Sequence, residues 1–129
     1  MIVIDTHVLI WFADGDSRLS PKLRQMMEDR PSDVLVPSIC IWEALLMVER
    51  GRLTVGEDDP STTLKGYIEK SGFVETPLTV DIAVLSRTLP FQHNDPADRF
   101  IAATAYANSA FLATYDSNLR KLPWVRFPD

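Results

Sequence analysis

The sequence predicts a three-layer α/β/α domain whose mainly parallel central sheet has about four to five short strands. Three observations carry that expectation. Short β-branched or apolar runs alternate with helix-length segments along the whole chain, and proline stands beside a capping residue at several helix starts. The 129 residues, 46% hydrophobic and 24% charged, suit one ordinary globular domain over 1–129 rather than a tail or fibre. A chain of this length buries about two-thirds of the surface its unfolded form exposes, so neither a disulfide nor a structural metal is needed to hold it together.

The elements follow in order. Ile2-Val3-Ile4 reads as a first strand that ends at Asp5, and the apolar segment Thr6 to Phe12 follows it directly as a helix. Ser20-Pro21 supplies an N-cap and first residue for a helix to about Arg30, stopped by Pro31. Val34-Leu35-Val36 is the second strand. Pro37-Ser38 opens a helix to Arg50, with Gly51 where a left-handed residue is wanted. Asp59-Pro60 starts the next helix, which reaches about Lys70 before Gly72 and a strand over Phe73 to Thr76. Thr79 caps a helix to about Leu89, Asp95-Pro96 begins one through Tyr106, and Phe111 to Thr114 forms another strand. Val125-Arg126-Phe127 offers a fifth. Strands alternating with helices imply right-handed crossovers and a parallel sheet covered on both faces.

Cys40 is the one cysteine and lies in an apolar run, as expected of a buried thiol in a reducing compartment, so the cytoplasm is the expected location. Met1 to Ala13 lacks a basic start and contains Asp5 and His7, unlike a signal peptide, and no run approaches the roughly 20 apolar residues of a membrane span. The net charge of −5, from 18 acidic and 13 basic residues, argues against a nucleic-acid partner unless several carboxylates share a metal site that cancels their charge.

In open α/β sheets ligands gather beyond the carboxyl ends of the strands, and there the polar residues are nearly all acidic. Asp5 follows the first strand, and Asp116 stands two residues past Thr114. Glu43 lies on the helix after the second strand, and Asp98 in the first turn of the helix opened by Asp95. Glu43 is the only charge between Pro37 and Val48, and Asp5 is an acid inside an apolar segment. An ionised carboxylate in such surroundings needs a cation or hydrogen bonds to remain charged. Hard oxygen donors, with only His7 and His93 as imidazoles, point to Mg²⁺ or Mn²⁺ rather than zinc. Carboxylates drawn from separate strand and helix ends suit ions that hold a phosphodiester, activate water and stabilise the leaving oxygen.

Plainer roles are open to each residue. Asp5 reads equally as the cap of the helix at Thr6, Asp95 and Asp98 as a capping arrangement, and Asp116-Ser117-Asn118 as a polar turn or short-helix cap. Glu43 has Arg99 or Arg120 as prospective ion-pair partners, His93 reads as a solvated loop residue, and His7, Trp11 and Trp42 read as packing.

Four ordered segments then resemble a known family: Val3-Ile4-Asp5-Thr6-His7-Val8-Leu9-Ile10-Trp11; Ser38-Ile39-Cys40-Ile41-Trp42-Glu43 with Gly51-Arg52-Leu53; His93-Asn94-Asp95-Pro96-Ala97-Asp98-Arg99 with Ile101-Ala102-Ala103-Thr104-Ala105; and Thr114-Tyr115-Asp116. Together they look like the PIN-domain ribonucleases, and within these the VapC-like toxins of bacterial toxin–antitoxin pairs. The resemblance spans nearly the whole chain. It implies a compact α/β endoribonuclease, commonly a homodimer, that uses Mg²⁺ or Mn²⁺ to cut RNA and is blocked by a cognate antitoxin. Asp5, Glu43, Asp98 and Asp116 match the family's acidic quartet, Thr6 matches the hydroxyl residue beside the first acid, and Ser38 precedes the second acid. Asp95 belongs to a variant of the third motif, and Asp98 is favoured as its metal ligand because it precedes the apolar helix.

Setting Asp5, Glu43, Asp95, Asp98 and Asp116 aside leaves 13 acids against 13 Lys and Arg, so the remaining surface is balanced. Arg50, Arg52, Lys65, Lys70 and Arg99 are the candidate RNA-backbone contacts. Two other classes compete: a receiver-like, Mg²⁺-binding signalling domain that accepts a phosphoryl group, and a noncatalytic interaction module whose acids are only caps.

Overall fold

The computed structural model describes residues 1–56 and 59–128. Four strands form one parallel sheet among the described residues: β1 (Ile2–Ile4), β2 (Val34–Pro37), β3 (Val74–Thr76) and β4 (Phe111–Ala113), in the order β3-β2-β1-β4. Helices α1 (Thr6–Asp14) and α2 (Pro21–Asp29), with a 3₁₀ turn at Pro31–Asp33, join β1 to β2. The next crossover uses α3 (Ser38–Glu49) and α4 (Pro60–Ser71), and the third uses α5 (Val80–Thr88) and α6 (Pro96–Ala107). A short α7 (Ser117–Arg120) follows β4. The three-layer α/β/α expectation stands, with seven α-helices flanking the sheet among the described residues.

The predicted caps are made. Ser20 accepts from the Leu23 N–H, Asp59 from Thr62, Thr79 from Ile82 and Asp95 from Asp98, each with its helix starting one residue later. The expected fifth strand does not form. The Arg126 carbonyl accepts one bond from the Leu112 N–H at 2.8 Å, but no ladder extends from it. Side-chain contacts hold this segment instead: Trp124 Nε1 donates to the Pro90 carbonyl, and the Arg126 guanidinium lies over Phe111. Pro123 and Pro128 flank it and offer no N–H to a ladder.

Strand order decides where chemistry can sit. The first two crossovers step in one direction, from β1 to β2 to β3, whereas the third returns to place β4 on the far side of β1. The topological switch point therefore lies between β1 and β4, whose register pairs Ile2 with Phe111 and Ile4 with Ala113. This order also differs from the 2-1-3-4-5 arrangement of receiver-type domains, which removes that alternative. Both faces of β1 and β2 are buried. Val8 and Leu9 of α1, Leu23 and Met27 of α2, Cys40 of α3 and Ile101, Ala102 and Ala105 of α6 join them in one core. The alanines let α6 lie close to the sheet, so the helix that carries Asp98 is fixed by packing near its first turn. No helix among the described residues is long and apolar enough to cross a membrane.

Candidate functional site

At the end of β1 the chain turns at once into α1, and Asp5 is the hinge. Its Oδ1 accepts the Thr6 N–H at 2.7 Å, so the helix-cap reading is correct as far as it goes. Its Oδ2 accepts the Thr114 hydroxyl at 2.7 Å, across 109 residues and across the switch point. Thr114 Oγ1 in turn accepts the Asp116 N–H at 3.1 Å. One buried hydroxyl thus ties the ends of β1 and β4 together. Asp5 is only 4% exposed, and burial pushes its carboxyl above the usual range against the opposing pull of the Thr114 and Thr6 hydrogen bonds.

Glu43 comes to the same place from α3. Its Oε1 accepts the hydroxyl of Thr6, the residue after Asp5. The Arg99 or Arg120 partnership considered from sequence is not the one formed: Arg99 Nε donates to the Ser86 carbonyl and Arg120 Nη1 to the Thr114 carbonyl. Burial raises the Glu43 carboxyl despite the Thr6 bond, with the charges of Asp5 and Asp95 adding to the rise.

From α6, Asp98 completes the convergence. Its pKa is pushed up to about 8, first by burial and then by the charges of Asp95, Asp5, Asp116 and Glu43. Asp95 on its own segment and three carboxylates on three other segments are therefore close enough to make its ionisation unfavourable. His93 Nε2 lies 3.2 Å from Asp98 Oδ2, so His93 is a half-buried neighbour of the site rather than a solvated loop residue. Asp95 and Asp116 are helix caps as well: Asp95 Oδ1 accepts the Asp98 N–H, and Asp116 Oδ1 accepts from Asn118 and Leu119.

The remaining candidates divide. Arg99 is buried, donates to backbone carbonyls at Ser86 and His93 and stacks on Phe91, which corrects its assignment as an RNA contact. Ser38 opens α3 but lines a second cleft, with Ile41, Trp42, Lys65 and Glu75, that holds none of the five acids. Arg50 and Arg52 line a cleft of about 420 Å³ with Glu43 and Asp95. Trp42 and His7 border it too and are exposed, contrary to the packing role expected of them. Trp11 does pack, with its ring centroid 5.1 Å from that of Tyr115. A larger cleft, about 880 Å³, lies between α2 and β4 and holds none of the five acids.

Thr114 and His93 are the site residues that sequence reasoning missed as such. A threonine at a strand end carries no signal of its own, and the one available for Thr114 was its position two residues before Asp116.

The donor set fits a hard divalent cation in its chemistry: carboxylate oxygens backed by threonine hydroxyls, with no lysine or arginine paired to them among the described residues. As placed, no three His, Cys, Asp or Glu side chains among the described residues form a group tight enough to hold a metal ion. Like charges held near one another by the fold, without an internal cation, are the arrangement that binding of an external one relieves.

Comparison with known proteins gives the family and the fold. The PIN domain family model matches residues 2–125. The chain is 29% identical over 122 residues to Ribonuclease VapC22 of Mycobacterium tuberculosis, covering 92% of this chain and 89% of that protein. Among solved structures, it is similar to a toxin–antitoxin complex from Klebsiella pneumoniae, with TM-score 0.68, 20% identity and coverage of 100% and 98% of the two chains. DNA-bound VapBC from Salmonella typhimurium gives TM-score 0.72 at 16% identity, covering 99% and 96%. FitAcB from Neisseria gonorrhoeae gives 0.64 at 22%, covering 100% and 97%.

Proposed function

The chain belongs to the PIN-domain family, and from that membership we propose that it is a Mg²⁺- or Mn²⁺-dependent endoribonuclease, the toxin of a toxin–antitoxin pair. It acts on RNA in the cytoplasm as one catalytic domain over residues 1–129. What supports this reading is that the Thr114 and Thr6 hydroxyls hold the Asp5 and Glu43 carboxyls by hydrogen bonds and that the charges of Asp5, Glu43 and Asp116 bear on Asp98 from three other segments. The ribonuclease name of the Mycobacterium relative supports the activity, and the complexes among its structural neighbours support an antitoxin partner.

In this reading the four carboxylates hold the cation directly or through water. A bound cation supplies charge neutralisation at the phosphodiester and lowers the pKa of the attacking water. Thr114 holds the Asp5 carboxylate in orientation, and Thr6 does the same for Glu43. Asp98 is favoured over Asp95 as a ligand, because Asp95 is exposed and already caps α6, whereas Asp98 sits half-buried among the other charges. A homodimer also belongs to the proposal: Leu78, Val80 and Val84 leave an apolar strip exposed along α5 and the residues before it.

Cleavage of a labelled total-RNA pool in Mg²⁺, Mn²⁺ or EDTA, beside Asp98→Asn at matched folded concentration, tests the assignment. Metal-dependent fragments are expected from the unaltered protein. They should fall by more than about 100-fold in the variant, since residues that only support a metal ligand already cost 10–100-fold. Absence of cleavage together with absence of any Mn²⁺ effect on melting would return the acids to a structural role and favour the noncatalytic module.

A further inference from the structure

Helix α3 buries Cys40 and Ala44 in the core. Trp42 lies two positions from each, and at about 100° per residue it falls on the opposite side of the helix, where it is 55% exposed. A large apolar ring held in solvent next to Glu43 contributes little to packing. It borders the 420 Å³ cleft together with His7, Glu43, Arg50, Arg52 and Asp95. The end of α3 brings the two arginines there. Gly51 adopts a left-handed φ of 70°, and the Arg52 N–H bonds back to the Met47 carbonyl at 2.8 Å, folding the chain over the last turn. Both arginines are exposed, and neither is ion-paired with a described residue.

We propose that Trp42 is a base-stacking residue of the nuclease: its indole takes one unpaired base of the RNA strand beside Glu43, while Arg50 and Arg52 meet the adjacent phosphates. An aromatic face flanked by guanidinium groups matches the two chemistries of a single nucleic-acid strand, a flat base and an anionic backbone. An acidic peptide would use the arginines but leave the ring without a partner of its own kind. The cleft shares Glu43 with the proposed metal-binding acids and is bordered by Asp95, so a strand lying in it passes beside that site. The assignment rests on the nuclease reading above.

The test compares unaltered protein, Trp42→Ala, Trp42→Phe and the double variant Arg50→Ala/Arg52→Ala, with melts confirming equal folding. Steady-state cleavage of a labelled single-stranded RNA in Mn²⁺ is expected to show KM raised about 10-fold by Trp42→Ala, with kcat little changed and most of the loss recovered by Trp42→Phe. The double arginine variant should reduce the salt dependence of binding by a slope of about 2. In an Asp98→Asn background, Trp42→Ala should weaken binding of the oligonucleotide and leave binding of an abasic ribose-phosphate chain unchanged. A Trp42→Ala protein with unaltered KM overturns the assignment while the nuclease reading survives. So does a loss confined to kcat, which would make the ring a support for Glu43. Conversion of a dimer to a monomer by Trp42→Ala would give this face to a second copy instead. Failure of the unaltered protein to cleave or bind any RNA removes both readings together.

Discussion

Thr114 and Asp5 show how one hydroxyl sustains a buried acid. Valine has nearly the same shape as threonine but no donor, so Thr114→Val leaves the Asp5 carboxylate with the Thr6 N–H as its remaining bond. We expect a loss of about 1–3 kcal/mol in urea denaturation and weaker Mn²⁺ binding, with Thr114→Ser close to the unaltered protein. Asp98 makes a prediction about pH. Its pKa rises from the ordinary 3.8 to about 8, so the folded protein retains a proton that the unfolded chain releases. The associated stability is full at acid pH and is lost as pH rises through about 8. Asp5 and Glu43 are shifted in the same direction. Melting temperature in EDTA is therefore expected to fall between about pH 4 and about pH 8, and Mn²⁺ should flatten the decline; an EDTA profile that rises instead would contradict the crowding of these acids. At this scale the sequence was partly legible. Asp5 and Glu43 announce themselves as acids in apolar runs, but Trp42 is one apolar residue among many until helix geometry turns it outward.

Elements depend on their ends. Gly72 terminates α4 with φ of 81°, and a Cβ added there would meet the Pro31 side chain at 3.3 Å. Gly72→Ala is expected to destabilise the protein by about 1–2 kcal/mol in urea denaturation, from the left-handed backbone alone, and more if Pro31 does not give way. The helix starts were readable because capping is local: an acceptor side chain and a proline within two residues suffice to specify Ser20-Pro21 or Asp95-Pro96. The segment over Val125-Arg126-Phe127 was misread for the complementary reason. Its composition is β-like, but a strand needs a partner along its length, and here the Trp124 and Arg126 side chains fix the path instead.

At the scale of the molecule, the order β3-β2-β1-β4 places the acids, and order is what alternating patterns alone do not specify. The resemblance of motifs implied a mainly parallel sheet but not the order of its strands. The apolar strip of Leu78, Val80 and Val84, with Val80 80% exposed, belongs to the same scale. Val84→Asp is expected to shift the mass in light scattering from a dimer toward the 14.6 kDa monomer without loss of melting temperature, and an unchanged mass would place the dimer contact elsewhere. The bond between Thr114 and Asp5 spans 109 residues, and its consequence is temporal. A ribosome makes Asp5 early and Asp116 late, so β1 emerges without the strand that completes its acidic end. A nascent chain that has not reached Thr114 lacks the hydroxyl that steadies the Asp5 carboxyl, so this end of β1 is completed only after most of the chain has been made.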